Sequence, residues 1–165
     1  MLAVGGVVAL LAGALSGVFM RQSSVPDGET VLAVTLPDVD GTAQSLAQWR
    51  GKLVVVNFWA TWCAPCREEM PMFVKAQREH AGAGLQFVGI AVDDAAKARQ
   101  FAMDIGVNYP NLIGGYGAME LSKALGNTVM ALPFTVVVDR NGRIVLTQLG
   151  PIKQAQLDQL IKQAL

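Results

Sequence analysis

Two cysteines and one histidine are all that this 165-residue chain holds of the side chains that most often grip transition metals. A structural zinc site takes about four ligands, so the chain is not organised around zinc. A copper carrier would want a soft or imidazole ligand beside its two thiolates, and His80 falls 14 positions after the second cysteine. Charge is scarce too, at 16% of residues, and thirteen basic side chains balance thirteen acidic ones. That balance gives no electrostatic footing for a nucleic-acid partner. The chain lacks internal repeats and low-complexity tracts, and its length is that of one domain able to bury a real core.

What is abundant is apolar sequence, 52% of residues, much of it at the start. Leu2 to Met20 carries no charged side chain. As a helix it would extend about 28 Å, close to the hydrocarbon thickness of a bilayer. Residues 1–21 therefore read as a membrane anchor or signal segment. Gly5, Gly6, Gly13, Ser16 and Gly17 dilute its apolarity, but no small-x-small cleavage site precedes the polar stretch, which favours an uncleaved anchor. Arg21 follows the apolar run and no Lys or Arg precedes it, an asymmetry that opposes an N-inside orientation. Residues 22–29, polar with Pro and Gly, read as a linker, and 30–165 as the folded domain.

Both cysteines fall at one place, where the apolar run Leu53 to Phe58 gives way to Trp59-Ala60-Thr61-Trp62-Cys63-Ala64-Pro65-Cys66. The run has the length and β-branched content of a strand buried on both faces. A helix is expected to begin at Cys63, because Pro65 suits a first turn and Glu68, Glu69 and Met70 favour helix. A sulfur beside unpaired helical N–H groups is held as thiolate, with pKa values of about 3.5 to 7.5 against about 8.5 for a free thiol. Cys63 is thus expected to be the exposed nucleophile. Cys66, one turn on, is expected to be the buried thiol that closes a disulfide with it. A purely structural bridge would usually close a longer loop.

Along the rest of the chain, Val31 to Leu36 reads as a strand, Pro37 to Gly41 as a turn and Ala43 to Trp49 as a short element. Met70, Phe73 and Val74 share a helical face with Cys66, and Pro71 kinks that helix without ending it. Leu85 to Val92 is a strand, Asp93 or Asp94 a cap, and Ala98, Phe101, Ala102 and Ile105 one face of a helix. Asn108 to Gly117 reads as loop and Ala118 to Leu125 as a helix stopped by Gly126. Phe134 to Val138 and Arg143 to Leu149 flank an Asn141-Gly142 turn, and Leu157, Leu160 and Ile161 stripe a last helix.

The run Phe58 to Cys66, with Leu132-Pro133 before a Val-rich strand some 70 residues later, resembles the thioredoxin superfamily. The closer likeness, over Val31 to Leu165, is to its membrane-anchored TlpA/ResA-type thiol-disulfide oxidoreductases. That resemblance implies a thioredoxin-like α/β fold: a mixed sheet of four central strands with flanking helices, an N-terminal β extension and a membrane helix. It implies that Pro133 is the cis-proline beside the Cys63 sulfur, that Leu132 offers backbone groups to substrate, and that Trp62 flanks the site. Glu69 matches an acidic residue that this branch keeps near the dithiol; from the residues alone it is a solvated carboxylate. The chain departs from thioredoxin at Asn57, where thioredoxin carries a buried Asp. Since Asn cannot accept a proton, proton handling for Cys66 falls to Glu69, to water or to substrate.

The function so implied is thiol-disulfide exchange without a cofactor or metal, on the far side of a cell membrane, in the periplasm or outside the cytoplasm. Its expected partners are proteins with disulfides, apocytochrome c among them, and a membrane thiol-electron donor. Two other readings stand beside it. One is a non-catalytic thioredoxin-fold binding domain or metal chaperone. The other is a peroxidase of the redoxin type, whose Thr-x-x-Cys setting near a Pro is not reproduced by Thr61 and Pro71.

Overall fold

The computed structural model describes residues 27–165. The apolar segment Leu2 to Met20 and residues 22–26 of the expected linker lie outside the described residues. Among those described, no helix is long and apolar enough to cross a membrane.

The chain enters through α1 (Gly28–Leu32), where a strand over Val31 to Leu36 and the end of a linker were expected. Asp27 caps this helix, its carboxylate accepting from Thr30 N at 3.0 Å. Val31 and Leu32 are 1% exposed, so burial against the core outweighs the β preference of the valine. Gly28 is held by close approach, since a Cβ there would fall 2.3 Å from the carbonyl oxygen of Gly142. Only Thr35–Pro37 is strand (β1); it pairs antiparallel with β2 (Ala43–Ser45) in a separate two-stranded hairpin. This is the expected N-terminal β extension, and a 3-10 turn, Leu46–Trp49, follows it.

Next comes β3 (Leu53–Trp59), buried at every position, then α2 (Ala64–His80), β4 (Leu85–Ala91) and α3 (Ala95–Asp104). After α3 come β5 (Asn111–Ile113), α4 (Gly117–Ala124), β6 (Phe134–Val138), β7 (Ile144–Leu149) and α5 (Gln154–Ala164). The main sheet has the order β5-β4-β3-β6-β7. Strands β3, β4 and β5 are parallel, while β6 runs antiparallel to both β3 and β7.

The sheet therefore has five strands where four were expected. The fifth, β5, lies in a segment whose Asn, Pro and Gly content reads as loop. It is strand because Gly89–Ala91 of β4 offers it an edge and Asp38 bridges to Leu112 on its outer side. Arg99 of α3 ties the hairpin over that edge, bonding the Val39 carbonyl and pairing with Asp40 at 2.7 Å. At the other edge, β7 shows the alternating burial of a half-exposed strand and a register break opposite Val137/Val138, which blunts it against pairing with another chain.

One polar row crosses this apolar sheet. Thr135, Asn57, Gly89 and Asn111 are register partners on four adjacent strands, and register partners share a face. Glu69 of α2 reaches this row through Asn57, so a buried carboxyl of the helix that starts at the cysteines meets the polar groups of the sheet.

Candidate active site

Cys63 is the N-cap of α2, and Pro65 occupies the first turn as expected. Its sulfur accepts from Cys66 N at 3.3 Å, so it lies at the unpaired N–H groups that stabilise a thiolate. The two cysteines are joined by a disulfide with Cα atoms 5.3 Å apart. Cys66 is fully buried. Cys63 is 6% exposed, less than the surface position the sequence implies, and its N–H is tied back to the Ala60 carbonyl by a turn at 3.2 Å. Helix α2 runs on through Pro71 to His80, which places the single imidazole at the opposite end from the dithiol.

That loop is anchored by a residue that sequence reading gave only a capping role. Asp93 accepts from Thr61 N at 3.0 Å and Thr61 Oγ1 at 2.6 Å, pinning the loop onto the end of β4. The cap of α3 is Asp94, which accepts from Lys97 N. The signal was the pair itself: two aspartates at a strand end, where one suffices to cap.

Glu69 is not a solvated carboxylate: it is 4% exposed. Asn57 Nδ2 donates to its Oε1 at 2.9 Å, and Ile152 N donates to its Oε2 at 2.9 Å. Burial raises its pKa from 4.5 to about 7, outweighing the two donors, which favour the charged form. The carboxyl is thereby poised to exchange a proton near neutral pH. Asn57, at the position that departs from thioredoxin, also donates to Thr135 Oγ1 at 3.0 Å. Burial, and next the Glu69 charge, raise the phenol pKa of Tyr109 well above its usual value.

Trp59 and Trp62, the two tryptophans just before the cysteines, separate. Trp62 is 68% exposed beside Cys63, whereas Trp59 is fully buried, its indole N–H donating to Asn111 Oδ1 at 2.9 Å. Gly89 makes room for that bond. A Cβ at Gly89 would lie 2.2 Å from Asn111 Oδ1 and 2.9 Å from Trp59 Nε1. Gly89→Ala is expected to destabilise the domain by about 3 kcal/mol through overpacking and the strained bond. In thermal unfolding this lowers Tm by about 6 to 12 °C; a Tm within about 1 °C of wild type would show that the pocket yields.

Arg67 is exposed, with its guanidinium 5.6 Å from the ring centroid of Phe101. The bond Leu132-Pro133 is cis. Carrying the β3–β6 register one step past Phe58 and Phe134 brings Pro133 alongside Trp59, at the strand end from which the Cys63 loop departs. Pro133 is buried and its carbonyl accepts from Gly150 N at 2.9 Å. Leu132, by contrast, has neither its N–H nor its C=O hydrogen-bonded among the described residues.

Comparison with known proteins agrees with this geometry. Residues 24–161 match the sequence model of the family described as Redoxin. The thioredoxin-like protein YneN of Bacillus subtilis is 32% identical over 143 residues, covering 84% of this chain and 81% of the relative. The thiol-disulfide oxidoreductase ResA of the same organism is 26% identical, covering 86% and 78%. Among solved structures, a thioredoxin-family thiol:disulfide interchange protein from Chlorobium tepidum superposes with a TM-score of 0.72 at 31% identity. It covers 79% of this chain and 92% of its own.

Proposed function

Since the chain belongs to the redoxin family, as a ResA-type protein of the thioredoxin superfamily, we propose that it is an extracytoplasmic reductase of protein disulfides. It is an enzyme, a thiol-disulfide oxidoreductase with a Cys63–Cys66 pair. The observation that carries the catalytic reading is the Cys63 sulfur at the N-terminus of α2 with Cys66 buried one turn behind it.

In the reduced protein the Cys63 thiolate attacks one sulfur of a substrate disulfide, forming a mixed disulfide and releasing the other sulfur as thiolate. Cys66 then gives up its proton and attacks Cys63 Sγ, releasing the second substrate thiolate and closing the pair seen here. Two electrons pass from the dithiol to substrate, and a membrane thiol donor returns them. Glu69 is the acceptor for the Cys66 proton: Asn57 has no basic group to offer, and a carboxyl with a pKa of about 7 is matched to that transfer. Leu132, whose peptide groups have no hydrogen bond among the described residues, and the exposed Trp62 are the surfaces that receive an extended substrate segment beside Pro133.

The apolar run Leu2 to Met20 supports attachment to a membrane. Placement of the domain outside the cytoplasm rests instead on the likeness to ResA-type proteins, against the charge asymmetry at Arg21, and apocytochrome c before haem attachment is the proposed substrate. The direction of electron flow is tested by equilibrating the full chain against glutathione buffers and trapping the thiols. A potential at or below about −250 mV supports the reductase; a value near about −120 mV is that of a strong oxidant and would overturn it.

A further inference from the structure

Between α4 and Leu132-Pro133 the chain makes a tight loop, Asn127 to Ala131, built around one side chain. Asn127 is 1% exposed. Its Nδ2 donates to Ala131 O at 2.8 Å and to Ser122 Oγ at 3.1 Å, while its Oδ1 accepts from Ala131 N at 3.2 Å. Its own backbone closes the ring, Asn127 N donating to Ser122 O and Met130 N to Asn127 O, each at 3.0 Å. A single side chain thus satisfies both peptide groups of the residue that precedes Leu132 and ties them to α4. An amide is suited to this because it donates and accepts at one terminus, which a carboxylate or a hydrocarbon cannot do.

The loop so closed is costly in two respects. Met130, which is not glycine, is held at φ +53°, and Val129 is 66% exposed. A left-handed non-glycine residue persists only where its surroundings over-determine it, and such residues gather at ligand clamps. Here the over-determination comes from Asn127, and Leu132, two residues past Met130, is the one whose backbone groups have no hydrogen bond among the described residues.

We propose that Asn127 is a positioning residue for polypeptide substrates. It holds residues 128–131 so that the N–H and C=O of Leu132 stay in one arrangement, ready to pair with an extended segment carrying the disulfide. This rests on the reading of Leu132 as substrate groove. Small disulfides, which need only the Cys63 sulfur, do not depend on Asn127.

The test compares steady-state reduction of insulin with that of a small aromatic disulfide, dithiobisnitrobenzoate, by the full chain in detergent. Asn127→Ala is expected to raise KM for insulin about tenfold, the equivalent of one or two lost hydrogen bonds. Its kcat, the rate with the small disulfide and the glutathione-equilibrated potential are expected to stay within about twofold of wild type. Asn127→Asp, which keeps the acceptor for Ala131 N and loses both donors, is expected to raise insulin KM by about threefold, and it decides the matter if the alanine variant fails to fold. An unchanged insulin KM, or parallel losses with both disulfides, would overturn the proposal. Leu132→Gly separates the two levels of the argument by loosening the same peptide groups directly. If it raises insulin KM while Asn127→Ala does not, only the assignment to Asn127 fails; if it leaves insulin KM unchanged, the groove reading fails with it.

Discussion

Cys63→Ser is expected to reduce turnover of protein disulfides to the uncatalysed background, whereas Cys66→Ser accumulates mixed disulfides with substrate. The asymmetry follows from placement. Cys63 caps α2 and retains 6% exposure, so its sulfur is stabilised as thiolate and can be reached by a disulfide opened against it. Cys66 is fully buried, which leaves it no route to substrate except through Cys63. A serine at 63 removes the nucleophile; a serine at 66 removes only the group that resolves the intermediate. Non-reducing gels of the Cys66→Ser protein incubated with substrate should show a covalent adduct that thiols release. Alkylation of the reduced protein by iodoacetamide should label Cys63 first, and faster labelling of Cys66 would reverse the two roles.

Glu69→Gln is expected to act on both rate and stability, with opposite signs. Resolution of the mixed disulfide slows by about a hundredfold, the usual worth of a positioned proton acceptor. Glutamine keeps the acceptor for Ile152 N but cannot take a proton, and its NH2 replaces the oxygen that accepts from Asn57 Nδ2, so the Asn57 amide must turn its Oδ1 to meet it. With the negative charge gone, the Cys66 thiol should ionise more readily, visible as thiolate absorbance near about 240 nm at lower pH.

The stability effect follows from the Glu69 pKa, raised in the fold from 4.5 to about 7 mainly by burial. Between those values the folded state retains a proton that the unfolded chain has lost, so stability falls as pH rises through that window and levels off above it. The span is about 3 kcal/mol at 1.36 kcal/mol for each pKa unit. Denaturant unfolding of wild type from pH 4 to 8 should show this decline, and Glu69→Gln should remove it. Matching pH profiles in the two proteins, together with an unchanged resolution rate, would take Glu69 out of the mechanism.

These expectations draw unequally on sequence and on tertiary structure. The dithiol was legible because its chemistry is local: strand, cysteine, proline and helix formers within a dozen residues suffice to put a sulfur at a helix start. The long strands β3 and β4 were legible for a similar reason, since an unbroken apolar run has one stable destination, the middle of a sheet covered on both faces. The Asn-Gly hairpin between β6 and β7 and the apolar stripe of α5 also follow from spacing alone.

What sequence could not decide depends on partners far along the chain. Strand β5 exists because β4 offers it an edge, and α1 is helix because its two apolar residues find a core. Glu69 has the sequence context of a solvated helical carboxylate. It is buried because Ile152, 83 positions later, brings a backbone N–H to it and Asn57 meets it from the sheet. Asp93 reads as a cap and Asn127 carries no signal of its own beyond following the helix stop at Gly126, and only the fold sets Asn127 against Ala131 and Asp93 against Thr61. By itself the sequence determined that a cysteine pair stands at a helix start, where the first turn tunes a thiol. Tertiary structure alone decided that Glu69 is buried between Asn57 and Ile152 and that Asn127 closes the loop before Leu132, since burial and hydrogen-bond partners arise only when distant segments meet.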